Sequence, residues 1–185
     1  MNMNPLGRQF HSDYSWEVLG GLPANEAVLT FPQEWRGFSE GLVVRVAPQD
    51  GVSWVGNFRK ISDSYINGVY STPGADTICV VAGGEGYLVG VSSPRSCAEV
   101  PSVPIIDVLA IDDPPLLLLE SLTDLSAVGR GGLAWSTARI SWDGMKILSV
   151  SSRTLMGQAW DPGTGTFKDF SVNLRTGTHE GGSYS

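Results

Sequence analysis

The fold is decided by the stretch EGLVVRVAP at residues 40–48, which recurs forty-five residues later as EGYLVGVSSP at residues 85–94 and more loosely as GMKILSVSS at residues 144–152. Each copy has glycine at or near its start, a run of Val, Leu or Ile, and an end of small residues or proline. Such a run between turn formers is typical of a β-strand. Matches this short arise from common ancestry or from common strand composition, so they predict strands without establishing a repeat.

Further strand-like segments follow along the chain at roughly eight- to twelve-residue intervals with turn signals between them. The predicted strands are 27–31, 41–47, 52–58, 67–71, 77–82, 87–92, 105–111, 133–142, 145–151, 155–160 and 167–174. This pattern predicts an all-β fold, a compact sandwich or barrel of short antiparallel strands, with a small propeller-like arrangement as the alternative. One short helix is predicted over residues 114–125, and a strand that runs into a loop is the alternative there.

Turn residues predict where neighbouring strands form hairpins. Asp143-Gly144 is the strongest signal, because a two-residue turn of this type requires positive φ at its central positions. Further hairpins are predicted at residues 48–51, 161–166 and 174–177. The glycines of GGEG at 83–86 are predicted to form a hairpin turn and not a phosphate loop, because a strand follows them where a phosphate loop would need a helix.

The segment WDPGTGTF at residues 160–167 resembles the aromatic-Asp-Pro-x-Thr-x-x-aromatic hairpin of kelch-type propeller blades. The resemblance covers eight residues and implies a blade-like sheet. The double-glycine signature that should precede it is absent, and four blades of about forty residues would use nearly the whole chain. The propeller-like arrangement therefore stands behind the sandwich or barrel.

Length and composition predict a globular chain. The 185 residues, 42% of them hydrophobic and 17% charged, are enough to bury a full core, so one β-rich domain is predicted over residues 1–185. Residues 1–25 are polar and aromatic without a clear period and are predicted to form a wrapping or capping arm. The 23 glycines and 11 prolines are spread along the chain, which indicates many turns between short elements and no single linker.

Charge and hydropathy patterns limit the classes of partner and the location that are expected for this protein. The net charge of −7 argues against nucleic acid, whose phosphates are bound by basic surfaces. It leaves a basic protein partner open, and the alternative is that the acidity only keeps the protein soluble. No signal-peptide-like segment begins the chain and no apolar run has membrane-spanning length, so a soluble cytoplasmic protein without membrane contact is expected. Two reduced thiols are expected at Cys79 and Cys97, with a disulfide between them as the alternative.

Few residues of the chain are of the types that bind metals or act in catalysis. The chain has two histidines, no Cys-x-x-Cys pair and no Gly-x-Ser-x-Gly elbow. No metal, cofactor or catalytic residue is therefore predicted, and a non-catalytic role is favoured over an enzyme. Asp112 and Asp113 are the acidic candidates for cation binding or acid–base work, although acids before Pro-Pro are more simply a solvated strand end or a helix cap.

Tryptophan is the residue class that most favours a binding site, because it is costly to expose and strong at interfaces. Pairing outward from the Asp143-Gly144 turn places Trp142 with Met145 and other apolar residues on a core face. The opposite face is mixed, and it provides a predicted partner-binding stripe of Trp135, Thr137, Arg139 and Lys146. The alternative is that a second layer of structure buries Trp135.

The favoured function is a non-catalytic, protein-binding β-domain, and in a bacterial setting an immunity-like or inhibitor role would fit an acidic binder. One alternative is a carbohydrate-binding or carbohydrate-active domain, in which Trp rings stack on sugars and Asp112, Asp113 or Asp143 supplies carboxylates. The other is a structural domain with no site of its own.

Overall fold

The structure is a computed structural model that describes residues 10–35 and 39–184. Over these residues the chain forms strands and no helix, so the all-β prediction is confirmed, and no segment of them is a helix able to cross a membrane. The strands are β1 (Tyr14–Val18), β2 (Val28–Phe31), β3 (Leu42–Pro48), β4 (Trp54–Phe58), β5 (Gly68–Ser71), β6 (Thr77–Ala82), β7 (Glu85–Gly90), β8 (Cys97–Glu99), β9 (Ile105–Ile111), β10 (Leu116–Ser121), β11 (Leu125–Gly129), β12 (Gly132–Ser136), β13 (Met145–Val150), β14 (Thr154–Asp161), β15 (Thr166–Asn173) and β16 (His179–Gly181).

The chain divides into two compact units, Met1–Val100 and Pro101–Ser185. Unit 1 holds two four-stranded sheets with the orders β1-β3-β4-β2 and β5-β6-β7-β8. All pairs in them are antiparallel except β2 with β4, which is parallel. Both sheets contribute to one apolar core, in which the Phe31 and Phe58 rings stack at 4.7 Å and Tyr87 packs beside them.

Unit 2 holds the sheets β12-β11-β10-β9 and β13-β14-β15-β16, each a run of consecutive antiparallel strands. Their inner faces share a second apolar core. Leu118, Leu125 and Ile140 are fully buried in it, as are Leu155 and Phe170. Burial of this amount of aliphatic and aromatic surface is the main force that holds the unit together.

Four predicted hairpin turns are confirmed. The turn at residues 48–51 connects β3 to β4. The turn at 161–166 connects β14 to β15, and the one at 174–177 connects β15 to β16. Gly83 and Gly84 form the two-residue turn between Ala82 and Glu85 with φ of 52° and 84°, a conformation that favours glycine at both positions. A Cβ on Gly83 would also meet the Ser62 carbonyl oxygen.

The helix predicted over residues 114–125 is wrong, because Leu116–Ser121 is strand β10. All six residues of β10 are buried, and the strand lies between β9 and β11. A continuous apolar run has no period that separates a central strand from a buried helix, and its six-residue length favours the strand.

The hairpin predicted at Asp143-Gly144 is also wrong. Strand β12 ends at Ser136 and pairs with β11, whereas β13 pairs with β14. Residues 137–144 pass from one sheet to the other, and the backbone N–H groups of Ile140 and Ser141 both donate to the Thr123 carbonyl. The predicted Trp142–Met145 cross-strand pair therefore does not form, because Ile140 and Ser141 donate their backbone hydrogen bonds to the turn before β11.

The three sequence copies form strands, but in different places. β3 and β7 are inner strands of their sheets, whereas β13 is an edge strand. Common strand composition therefore accounts for the copies better than a structural repeat does. In the segment predicted as an arm, residues 14–18 form edge strand β1 beside β3, and residues 1–9 lie outside the described part of the chain.

Both cysteines are free thiols in the structure. Strand β7 separates them, because Cys79 in β6 pairs with Leu88 while Cys97 in β8 pairs with Val89. Burial raises the pKa of Cys79 to about 12, and burial together with the charge of Glu99 raises that of Cys97 to about 11. Neither group is thereby activated as a thiolate at neutral pH.

Candidate binding surface of aromatic and cationic residues

The four residues predicted as a binding stripe lie in three different environments. Trp135 is only 8% exposed, and its Nε1 donates to the Leu174 carbonyl at 2.8 Å, so it is part of the core of unit 2. Thr137 continues the pairing with Leu125, since its backbone N–H donates to the Leu125 carbonyl and its Oγ1 accepts from the Leu125 N–H. Of the four, Arg139 and Lys146 hold their charge over aromatic rings, exposed ones at Arg139 and a half-buried one at Lys146.

Arg139 lies over two aromatic rings that were not predicted to accompany it. Its guanidinium carbon is 5.3 Å from the ring centre of Trp142 and 4.7 Å from that of Tyr184. The two rings meet edge to face at 4.7 Å, and they are 46% and 40% exposed. Cation–π attraction and the edge-to-face contact both favour this arrangement. These three residues are called the Arg139 cluster.

Backbone hydrogen bonds hold the Arg139 cluster in place. Arg139 donates from Nε to the Ser141 carbonyl at 3.0 Å and from a terminal nitrogen to the Trp142 carbonyl at 2.9 Å. The N–H groups of residues 183 and 184 both donate to the Ile140 carbonyl. Gly182 permits this approach, because it has φ of 99° and a Cβ there would lie 2.5 Å from the Ile140 oxygen. The segment after β16 thereby brings Tyr184 to Trp142.

Lys146 stacks in the same way on the outer face of the second sheet of unit 2. Its Nζ lies 4.0 Å from the ring centre of Phe167, which meets Trp160 edge to face at 5.2 Å. The β14–β15 register places Trp160 directly opposite Phe167. These three residues are called the Lys146 cluster.

The hairpin that carries Trp160 and Phe167 is fixed by Asp161. Its carboxylate accepts from the Gly163 N–H at 2.9 Å and from the Thr164 hydroxyl at 2.8 Å. The hydrogen bond from Thr164 is the main reason that the pKa of Asp161 is lowered, with the Gly163 bond adding to it. Asp and Thr are required at these positions because their side chains replace backbone partners within the turn.

The serine hydroxyl of Ser183 connects the segments that carry the two clusters. It donates to the Trp160 carbonyl at 2.6 Å and accepts from the Trp142 N–H at 3.3 Å. Over the described ranges 10–35 and 39–184, neither Arg139 nor Lys146 forms an ion pair with a carboxylate. Both positive charges therefore remain available to an outside group.

The acidic candidates are exposed but isolated. Asp112 and Asp113 lie in the turn between β9 and β10, and Asp143 follows Trp142. Within the part of the chain that the structure describes, no three His, Cys, Asp or Glu side chains come close enough together to hold a metal ion.

Comparisons with known proteins add little to this geometry. No protein-family model and no curated protein matches the chain. Several chains of solved structures are similar to it, among them two whose matches cover most of this chain. One is the S. cerevisiae structure of a Dbp5 variant bound to Nup159, a Gle1 variant, IP6 and ADP, at 14% identity and a TM-score of 0.38, covering 95% of this chain and 51% of that one. The other is the N-terminal domain of Nup159, at 13% identity and a TM-score of 0.39, where the match covers 95% of this chain and 52% of that one. The chain thus spans about half the length of each, and the function is argued from its own residues.

Sequence reasoning selected Arg139 and Lys146 but missed the aromatic residues on which the structure places them. The spacing of Trp160 and Phe167 around the 161–166 turn was a usable signal, because residues that flank a hairpin turn face each other. Trp142 was assigned to the core by a pairing that does not form. Nothing in the sequence indicates that Tyr184, distant along the chain, reaches Trp142.

Proposed function

We propose that this chain is a non-catalytic protein-binding domain that contacts its partner through the Arg139 cluster, with the Lys146 cluster beside it. The observation that carries the proposal is the Arg139 guanidinium stacked over two exposed rings, Trp142 and Tyr184. Trp, Tyr and Arg are the residues most enriched among interface hot spots. The Arg139 side chain is already held by its hydrogen bonds to the Ser141 and Trp142 carbonyls, and the two rings by their contact, so less side-chain entropy is lost when a partner binds.

The charge of this surface favours a carboxylate on the partner. Arg139 donates two of its five side-chain N–H groups to the Ser141 and Trp142 carbonyls, and the others remain free to donate to a partner. Arginine donates to carboxylates in a planar, bidentate way that fixes orientation. The chain as a whole carries a net charge of −7, so acidic surface away from the clusters attracts a basic region of the same partner, which would speed association more than it tightens the complex.

The test is affinity capture with matched variants. The baits are the wild-type protein, Trp142→Ala and a control variant, Leu133→Ala. Leu133 suits the control because it is 42% exposed in the same unit but belongs to neither cluster. We expect a protein that binds wild type and Leu133→Ala and is lost with Trp142→Ala. Isothermal titration of that purified protein should then show a loss of about 2 kcal/mol or more for Trp142→Ala, which is roughly thirtyfold in Kd.

A partner that binds Trp142→Ala and Tyr184→Ala as tightly as wild type would refute this assignment. A glycan array then tests the carbohydrate alternative. The Arg139 guanidinium already lies over Trp142, and Trp135 is buried, so neither ring offers a free stacking platform. Saturable glycan binding that is lost with Trp142→Ala, without any protein partner, would favour the carbohydrate function instead.

A further inference from the structure

Unit 2 contains a groove of about 710 Å³ at the ends of its strands, separate from both clusters. Three turns form its walls, those between β9 and β10, β13 and β14, and β15 and β16, while β12 supplies part of the floor. The charged residues that line it are Asp113, Arg153 and Arg175. Its volume lies within the range of small-molecule sites, about 300 to 1,000 Å³.

The two arginines are held next to each other by the backbone. The Leu174 N–H donates to the Arg153 carbonyl at 2.9 Å, so Arg153 lies beside the residue that precedes Arg175. The Arg175 N–H donates to the Asn173 side-chain oxygen at 2.9 Å, which fixes the start of that turn. These hydrogen bonds fix the backbone of the two turns, and the exposed side chains of Arg153 and Arg175 line the groove from them.

Neither guanidinium forms an ion pair with any carboxylate among residues 10–35 and 39–184. With Asp113, the lining carries a formal charge of +1 on a chain whose net charge is −7. A local excess of positive charge inside a concave surface attracts anions. Asp113 opposes the second charge of a dianion, so the groove favours a singly charged group.

The rest of the lining is apolar or weakly polar. Pro114, Leu116, Ala134 and Leu174 also line the groove, as does Trp135. Ala134 is exposed and Pro114 half-buried, whereas the two leucines present little surface. A few placed polar groups within an apolar surface are the usual composition of a site for an organic ligand. The apolar part would accept several methylene groups of a ligand whose charge lies between the arginines.

We propose that this groove binds an organic carboxylate, with Arg153 and Arg175 donating hydrogen bonds to the carboxylate and Leu116 and Ala134 contacting its aliphatic body. Planar guanidinium groups match carboxylate geometry, which gives direction as well as attraction. The carboxylate is carried either by a small acid or by the C-terminus of a peptide. This site is independent of the protein-binding function proposed above.

The test is an NMR titration of the full chain with hexanoate, using hexanamide as the neutral control. We expect saturable shifts of the Trp135 indole N–H and of the backbone amides of Arg153 and Arg175, with a Kd on the order of 1 mM for so small a ligand. Arg153→Gln and Arg175→Gln should each weaken binding about tenfold, because each removes a charge-assisted hydrogen bond. Arg130→Gln, an exposed arginine outside the groove, should leave Kd unchanged.

The sign of a third variant sharpens the test. Asp113→Asn removes a like charge, so it should tighten hexanoate binding severalfold.

A second titration identifies the source of the carboxylate. It uses an acetylated, leucine-ended tripeptide with a free C-terminus. Tighter binding than hexanoate, lost when the tripeptide is amidated, assigns the carboxylate to a peptide terminus. Weaker binding than hexanoate assigns it to a small acid. Equal binding of hexanamide, no effect of either arginine substitution, or binding of inorganic phosphate but not hexanoate would each overturn the proposal.

Discussion

The two units of the chain use their cations differently. All ion pairs found among the described residues lie in unit 1, where Arg45 meets Glu17 and Glu26, Arg59 meets Glu85, Lys60 meets Asp63, and His11 meets Asp13. In the described part of unit 2 no cation has a carboxylate partner. Two of its cations lie on aromatic rings and two line the groove.

The contrast is clearest between Arg59 and Arg139. Arg59 donates from two nitrogens to the buried Glu85 carboxylate, which also accepts from the Tyr87 hydroxyl at 2.7 Å. Every charge there is satisfied inside the fold, and burial is the main cause of the raised pKa of Tyr87. Arg139 instead keeps donors free beside two exposed rings. In unit 1, therefore, most cations of the described residues pair with carboxylates of the chain itself, whereas in unit 2 four cations of the described residues have no such ion pair, as the proposed binding role requires.

The largest expected effect separates the two tryptophans of unit 2 that lie seven residues apart. Trp135→Ala should lower the free energy of unfolding by about 3 to 5 kcal/mol, because it leaves a cavity and an unpaired Leu174 carbonyl. Trp142→Ala should change it by less than about 1 kcal/mol, because Trp142 is 46% exposed. Denaturant unfolding measures both. Equal losses would mean that Trp142 is a core residue and would remove the binding surface.

The next effect tests whether the Arg59–Glu85 pair supports unit 1. Arg59→Met should cost about 2 to 3 kcal/mol, because it leaves the buried Glu85 carboxylate without its cation, and the figure is reduced for the partial exposure of Arg59. Adding Glu85→Gln should restore much of that loss, since the Tyr87 hydroxyl keeps an acceptor and no buried charge remains. Chemical unfolding of the single and double variants measures the coupling. Additive losses would mean that the pair does not act as a unit.

A pH effect is expected in unit 2, where Glu120 and Asp107 face each other across β10 and β9. Burial, and secondly the charge of Asp107, raises the pKa of Glu120 from 4.5 to about 7. The unfolded chain loses this proton near pH 4.5, whereas the folded chain holds it until about pH 7. The protonated group therefore contributes stability below pH 4.5, and this contribution is lost as the pH rises through 7, at about 1.4 kcal/mol per pH unit.

Unfolding of wild type and Glu120→Gln at pH 4 and pH 8 checks this effect. The Gln variant should gain on wild type as the pH rises, by about 2 to 3 kcal/mol at pH 8. Asp107→Asn serves as the control, because it removes the secondary cause and should shift the same transition to lower pH. A difference between wild type and Glu120→Gln that does not change with pH would show that Glu120 ionises normally.

The smallest expected effect concerns the Lys146 cluster. Lys146→Ala should cost only about 0.5 kcal/mol of stability, because an exposed cation over an aromatic ring is worth little in water. Lys146→Met keeps the aliphatic stem and separates the charge from the packing. Thermal unfolding of both variants measures the difference. A loss of several kcal/mol would place Lys146 among the cations that hold the fold.

The strand content could be predicted from the sequence, because each predicted strand rests on a local signal. Runs such as Thr77–Ala82 and turns such as Gly83-Gly84 carry their conformation in their own residues. The eleven predicted strands all overlap observed ones, although the one predicted over 133–142 ends at Ser136. The segment 114–125 was predicted as a helix because Asp113 and Pro114 suit a helix start and Leu118, Leu122 and Leu125 share a helical face; the alternative, a strand running into a loop, is what forms.

Pairing between strands could not be predicted, because it depends on competition between distant segments. Asp143-Gly144 is flanked by strand-like residues on both sides, yet β11 and β14 are the partners that β12 and β13 take. That single error exchanged the roles of Trp135 and Trp142. Arg139 and Lys146 were chosen correctly as exposed cations, but the contact of Arg139 with Tyr184 joins residues forty-five positions apart, which no local pattern reveals.

Partner affinity and stability, measured together for Arg139→Gln, decide whether Arg139 binds a partner or holds the fold. We expect titration of the captured partner to show about tenfold weaker binding or worse, because a stacked, hydrogen-bond-donating cation is removed from the interface. We expect the free energy of unfolding to change by less than about 1 kcal/mol, in contrast to Arg59→Met. Unchanged affinity together with a stability loss equal to that of Arg59→Met would refute the proposed binding surface, since Arg139 would then hold the fold and not a partner.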